Sequence, residues 1–302
     1  MKEKTIYKKL ISLIIAGIII ISGAFFASCK NDDPPGNNSN PPETVSEEEK
    51  AFLSLTSRIN VLENVSFSFN QTGYENRVFI YIRNKTYNDS QWNFIGGTMD
   101  SGFEDYVEEN QGSYNLKGLQ TLNSFVIPKT NESVDFVHMF ATMNAINNNI
   151  NNTQTADLAG WGGDLCQLVA ELKDTDFLGT DLDNLVNQKF NKQDSSFNDL
   201  DVCADLDAVN IMSIYNSSSN KSISKHMKDY YNSLTKSSRK TQFKNNIFSQ
   251  TLSQQEAIEY LFTRIKDNLF LNFWCSQNNV SFETHSHIFN ACINAFVSFL
   301  NS

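Results

Sequence analysis

Residues 133–146 read SVDFVHMFATMNAI, and their spacing decides the fold class. Apolar side chains recur at helical rather than alternating intervals, so the stretch predicts a helix built for a core. Asp135 and His138 sit within it, three apart, on one edge of the apolar stripe. An acid and an imidazole enter a core only when pairing or hydrogen bonding offsets their lost hydration.

From Asn131 onward the chain keeps this helical character. TADLAGWGGDLCQLVAEL (155–172) carries a stripe of Leu158, Trp161, Leu165, Leu168 and Leu172. LDVCADLDAVNIMSIY (200–215) is apolar on most sides, and a short helix is expected over Ile223–Leu234 within the polar, basic stretch 216–246. SQQEAIEYLFTRIKDNLFLNFW (253–274) opens with Ser253 and Glu256 at capping-box spacing. ETHSHIFNACINAFVSFL (283–300) reads as the last helix, and an Asn-rich loop is expected over Asn147–Thr155.

Before residue 131 the pattern differs. SEEEKAFLSLTSRINVLEN (46–64) is an amphipathic helix signal, with Ser46 as cap and Glu49 three residues on. VSFSFNQ and RVFIYIRN are rich in β-branched and aromatic residues and predict strands, NKTYNDSQWNFIGG predicts turns, and SFVIP predicts a closing strand. The expected class is therefore mainly α: a helical domain over about residues 131–302, preceded by a small β or irregular region over about 65–130.

Composition bounds the partners. Lys and Arg number 24 against 34 Asp and Glu, a net charge of −10. An acidic chain lacks the basic footprint that nucleic-acid phosphates require, so no nucleic-acid partner is expected. Residues 51–302 are enough for one large globular domain, with a possible subregion over 51–130, and no internal repeat is visible.

The first residues read MKEKTIYKKLISLIIAGIIIISGAFFASCK. Lys2, Lys4, Lys8 and Lys9 precede an apolar run from Leu10 to about Ala27, the pattern of a secretory signal or, left uncleaved, of a membrane anchor. Phe26-Ala27-Ser28-Cys29 resembles the lipobox of bacterial lipoproteins, with Phe26 where Leu is commonest. That resemblance covers the first thirty residues. It implies cleavage before Cys29, acylation of its thiol and anchoring to a membrane outside the cytoplasm: the outer membrane in a two-membrane cell, otherwise the outer face of the cytoplasmic membrane. The expected layout is signal 1–28, tether 29–50 and globular domain 51–302. The tether, rich in Pro, Asn and acid, has no apolar period to fold on.

Besides Cys29 there are Cys166, Cys203, Cys275 and Cys292. An even number outside the cytoplasm invites disulfides, while their place in apolar helical patterns suits buried thiols; both readings stand. The spacings lack the close pairs of a zinc site, and no metal or cofactor is called for.

Three predicted helices carry an acid where a core residue is expected: Asp135 with His138, Asp164 after Gly160, Gly162 and Gly163, and Asp205 with Asp201 one turn earlier. Glycines inside a helical stripe cost about 1 kcal/mol each against alanine, which a close backbone approach or a helix break would offset. Two readings follow. In the catalytic one, Asp135, Asp164 and Asp205 supply acid–base groups with His138 relaying, as in hydrolysis of a glycan or envelope polymer. Trp161, Gly162 and Gly163 then form a ligand platform, and a metal on the mixed N/O set is a variant. A Cys166–His138 nucleophile is a weaker form of this reading. In the structural one, Asp135 is a first-turn acid that suits the helix dipole, Asp164 caps a helix, His138 is a satisfied core histidine, and Asp201 and Asp205 face water or cap. His285 and His287, two apart, point different ways and share no metal. No H-E-x-x-H, G-x-S-x-G or P-loop is present. The function expected is a binding or structural role for a lipid-anchored envelope protein, with a glycan or protein as possible ligand; the alternative is the hydrolase.

Overall fold

The computed structural model describes residues 45–84, 98–114, 116, 119, 122–148, 158, 160–175, 177, 181–191, 197–248 and 251–302. The signal, the lipobox with Cys29, nearly all of the tether and most of two predicted turn segments lie outside the described residues. Val45–Ser302 forms one unit by its internal packing.

The described chain is mainly helical, as the periodicity predicts. Helix α1 spans Glu47–Phe69, α2 Tyr74–Asn84 and α3 Phe103–Tyr114. A two-stranded antiparallel sheet follows, β1 Ser124–Val126 and β2 Ser133–Asp135, with Phe125 opposite Val134. Then come α4 Phe136–Asn148, α5 Trp161–Leu172, α6 Leu182–Phe190, α7 Asp199–Ser217, α8 Ile223–Ser233, α9 Lys236–Ile247, α10 Gln254–Asp267, α11 Leu269–Gln277 and α12 Ser286–Asn301. Among the described residues no helix is long and apolar enough to cross a membrane.

The expected strands at VSFSFNQ and RVFIYIRN are corrected. The first continues α1, whose buried face Phe52, Leu55, Ile59 and Leu62 simply carries on through Val65 and Ser66. The second is α2, where Val78, Phe79, Ile80, Tyr81 and Ile82 are all buried. An apolar run covered on every side has no period to read, so helix and strand look alike in sequence. Arg77 joins the two helices. Its guanidinium donates to Ser66 O at 3.1 Å, Thr72 O at 2.9 Å and Asn70 O, closing the end of α1. It also lies over the rings of Phe69 and Phe103.

Two further boundaries move. The predicted helix over 253–274 is two helices, because Asn268 ends α10 and its side chain accepts from Leu271 N–H to begin α11. The Ser253–Glu256 capping box is present as expected. Helix α9 lies in the polar stretch where only one helix was expected.

The helices form two groups. Helices α1, α2, α4 and α8 pack on one another or on α7 beside the hairpin. Helices α5, α6, α10, α11 and α12 surround an apolar core, where Trp161, Phe197, Phe289 and Phe296 are buried. Helix α7 touches α4 in the first group and α5 in the second. That junction holds the polar residues singled out above.

Candidate functional site

The hairpin runs straight into α4. Asp135 is the last residue of β2, and its Oδ1 accepts from the backbone N–H of His138 at 2.8 Å. The helix therefore starts at Phe136 rather than at Ser133. Asp135 is its cap, one position before the first turn in which the structural reading put it. Phe136 N–H donates to Asn123 O at 2.9 Å, which ties the helix start to the base of the hairpin. His138 is placed by backbone geometry before its ring makes any contact.

Helix α5 begins at Trp161, with Gly160 at its N-cap position. Asp164 does not cap a helix broken at Gly162-Gly163, so that expectation is corrected. It stands in the first turn, 3% exposed, where an acid suits the helix dipole. The glycines divide by role. A Cβ on Gly160 would fall 2.4 Å from Asp205 Cγ, so this glycine makes room for a carboxylate. Gly162 packs against Leu158 and Leu271, and Gly163 faces open space. The close approach offered in the sequence thus holds at two of three positions.

Helix α7 is capped by Asn198, whose side-chain oxygen accepts from Leu200 and Asp201 N–H. Asp201, half-buried, and Asp205, fully buried, follow one turn apart. Neither caps α7, contrary to that expectation.

The three helices bring His138, Asp164 and Asp205 together. His138 Nε2 lies 2.8 Å from Asp164 Oδ2 and 3.3 Å from Asp205 Oδ1. Thr142, one turn beyond His138, donates its hydroxyl to Asp205 Oδ1. One donor atom from each of His138, Asp164 and Asp205 lies within 4.8 Å of the others, a spacing compatible with a shared cation. Asp205 Oδ2 is buried with no hydrogen-bond partner among the described residues.

Burial opposes a charged imidazole, but Asp164 and Asp205 outweigh it and raise the His138 pKa well above the ordinary value. Burial raises that of Asp164 despite the neighbouring His138, and Asp205 adds to the rise. Asp201 is pushed up to about 6, first by burial, with His138 opposing and Asp205, Asp135 and Asp199 assisting.

The ligand platform is corrected. Trp161 is fully buried, and its ring stacks on Phe296 at 4.8 Å, so it presents no face to a sugar. Gly162 is filled against leucine side chains. The Cys166 nucleophile is also withdrawn: Cys166 is buried, and burial followed by Cys275 raises its thiol far above the reactive range. All four cysteines of the described residues are free thiols. His285 accepts from Ser281 N–H through Nδ1 and His287 meets the Phe177 ring edge-on, so the two serve different contacts.

Two surface cavities lie elsewhere. One of about 570 Å³ is lined by Lys244, Phe248, Leu252 and Val297 among others, and one of about 470 Å³ by Asp181, Ile258, His287 and Asn294 among others. None of Asp135, His138, Asp164 and Asp205 lines either.

A second buried charge site was not singled out from sequence. Asp207, two residues after Asp205, faces the other way. It accepts from Arg239 Nε at 3.1 Å and Nη2 at 2.5 Å, from Tyr230 at 2.7 Å and from Tyr231 at 2.8 Å. Arg239 also reaches Glu132 at 3.4 Å. The repeated D-L-D of residues 199–201 and 205–207 hinted at acids on two faces, but nothing in the stretch 216–246 marked Arg239 as their partner.

Residues 140–302 match the family model described as YkzU uncharacterised protein. The match contains Asp164, Asp205 and Asp207 and begins two residues after His138. No curated protein and no solved structure matches the chain. Because the family model spans more than half of the sequence, the chain belongs to the YkzU family of uncharacterised proteins.

Proposed function

We propose that the protein is a lipid-anchored extracytoplasmic lipoprotein whose helical domain has a binding or structural role at the cell envelope. The lipobox-like Phe26-Ala27-Ser28-Cys29 supports the anchor. Two or three acyl chains, at roughly 0.8 kcal/mol per buried methylene, hold a protein to a bilayer with no spanning helix.

The observation that carries the non-catalytic reading is closure of the His138–Asp164–Asp205 cluster. None of its side chains is more than 4% exposed, and Trp161 beside it is sealed. Hydrolysis of a polymer needs carboxylates that reach a scissile bond across an open cleft. A closed cluster instead joins helices and fixes their register.

The hydrolase reading keeps one observation, the convergence of His138 and Asp164, whose pKa values are both raised, with a third buried group, Asp205; perturbed groups are commonly found at catalytic sites. It lacks the cleft.

The experiment is labelling with an alkyne palmitate in the full chain and in Cys29→Ser, with membrane fractionation. Label and membrane association lost together in Cys29→Ser support the anchor. Unlabelled wild type, or label retained in the variant, overturns it. Release of fragments from peptidoglycan or a glycan panel by wild type, abolished in a folded Asp164→Asn, would reverse the non-catalytic reading.

A further inference from the structure

We propose that His138, Asp164 and Asp205 form a binding site for one divalent d-block cation of the zinc or manganese class. The inference goes beyond the functional reading above and does not depend on lipidation.

His138 Nε2 stands from each carboxylate at about the spacing of a metal shell, and one donor atom of each of the three residues lies within 4.8 Å of the others. Ligands about 2.0–2.2 Å from a central ion lie roughly 2.8–3.6 Å from one another, by simple geometry on tetrahedral or octahedral angles. The His138 Nε2 to carboxylate distances are 2.8 and 3.3 Å. Each donor comes from a different helix, α4, α5 or α7, so an ion at their centre would join the two halves of the fold.

An independent observation is the orphaned oxygen. Asp205 is 0% exposed, yet its Oδ2 has no hydrogen-bond partner among the described residues. The same helix supplies the contrast. Asp207, equally buried, receives four donors from Arg239, Tyr230 and Tyr231. A buried carboxylate oxygen left without a donor is costly, and a cation beside Asp205 offsets that cost.

Charge points the same way. The groups facing the cluster are Asp135 from β2, His138 from α4, Asp164 from α5, and Asp201 and Asp205 from α7. Among the described residues no lysine or arginine forms an ion pair with any of these acids. One imidazole is the only basic side chain set among these carboxylates in the described residues, and a divalent ion would add positive charge there.

The surroundings hold the ligands in place. Thr142 donates to Asp205 Oδ1 and so fixes the carboxylate, and Asp135 caps the turn that carries His138. Gly160 leaves the space that Asp205 fills. Such outer contacts orient first-sphere ligands. An imidazole nitrogen beside two carboxylates suits zinc, manganese or iron(II), whereas calcium and magnesium prefer all-oxygen shells.

The test uses the untagged full chain in detergent, treated with chelator and dialysed against ZnCl2, MnCl2, MgCl2 or CaCl2. The expected result is one zinc or manganese per chain by elemental mass spectrometry, with neither magnesium nor calcium retained. The melting temperature should rise by roughly 5–10 °C at a hundredfold excess over Kd. His138→Gln and Asp205→Asn should weaken uptake at least tenfold, about 1.4 kcal/mol or more. X-ray absorption of the zinc-loaded wild type should show nitrogen and oxygen ligands with one imidazole. It remains decisive if the variants fail to fold. Uptake well below one per chain with no thermal shift, unchanged uptake in the folded variants, or sulfur in the shell from the buried cysteines would overturn the proposal.

Discussion

The carboxylate of Asp205 lies against Gly160, so near that a Cβ on the glycine would meet Cγ and Oδ1 at 2.4 Å. Asp205 is pinned by His138 and Thr142, so it has little freedom to give way. Gly160→Ala should therefore destabilise the fold by about 1–3 kcal/mol through overpacking. Gly163→Ala adds its methyl to open space inside α5 and should stabilise by about 0.4–1 kcal/mol. Urea unfolding of the two variants checks both signs. Equal effects would mean that the glycines act only through helix propensity.

The Asp207–Arg239 pair should be far less forgiving than any surface pair. Arg239→Met leaves a carboxylate buried with only phenol donors, and such a loss typically costs about 3–5 kcal/mol. Arg239→Met combined with Asp207→Leu should recover a large part of that cost, because the stranded charge is gone. A double-mutant cycle by chemical denaturation measures the recovery. Lys225 and Asp229 on exposed α8 positions are the control, and breaking that pair should cost less than about 1 kcal/mol.

Glu63 gives a pH-dependent stability. It reaches from α1 to the start of α8 and accepts from Ile223 N–H, Ser224 N–H and the Ser222 and Ser224 hydroxyls. Burial raises its pKa above 4.5 in spite of these donors. A carboxyl with a raised folded-state pKa contributes fully below the unfolded value and loses that contribution as pH rises through the folded one. The melting temperature of Glu63→Gln relative to wild type should therefore improve between pH 4 and pH 7. A constant difference across that range would contradict the assignment.

Trp161 and the cysteines distinguish a sealed core from a site open to ligand. Trp161→Ala should cost about 3–5 kcal/mol, since a large buried ring is lost, whereas an exposed platform would cost little. Burial also holds Cys203 up to about 12 and raises Cys292 further. Thiol titration at pH 8 should find the cysteines of the domain unreactive until denaturant is added. Fast labelling of the native protein would show that the core opens.

The helices that hold the site were legible where one face is buried and another is not. SQQEAIEYLF announced its start through Ser253 and Glu256, and α7 was found to within two residues at either end. The run VFIYI was misread as a strand because apolar side chains on every side erase the period, and VSFSF because its apolar residues alternate with serines although Phe67 stays exposed on α1. Three site residues, His138, Asp164 and Asp205, were legible as acids or imidazole placed where leucine would be expected. Asp135 was legible as a first-turn acid, though it proved to be the cap. Arg239 was not legible. Its neighbours are polar, and a cation in a polar segment looks solvated until a distant helix brings Asp207 to it. Trp161 failed for the opposite reason, since a tryptophan beside glycines looks available in one dimension and is covered by Phe296 in three.

The direct passage from β2 into α4 has a consequence for chain length. Asp135 ends the strand and caps the helix, so no spacer separates the hairpin from the turn that aims His138. A single residue inserted between Val134 and Phe136 would rotate every later side chain by about 100° around the helix. His138 and Thr142 would then turn away from Asp164 and Asp205 together. Here the gene can change letters more freely than it can change their number.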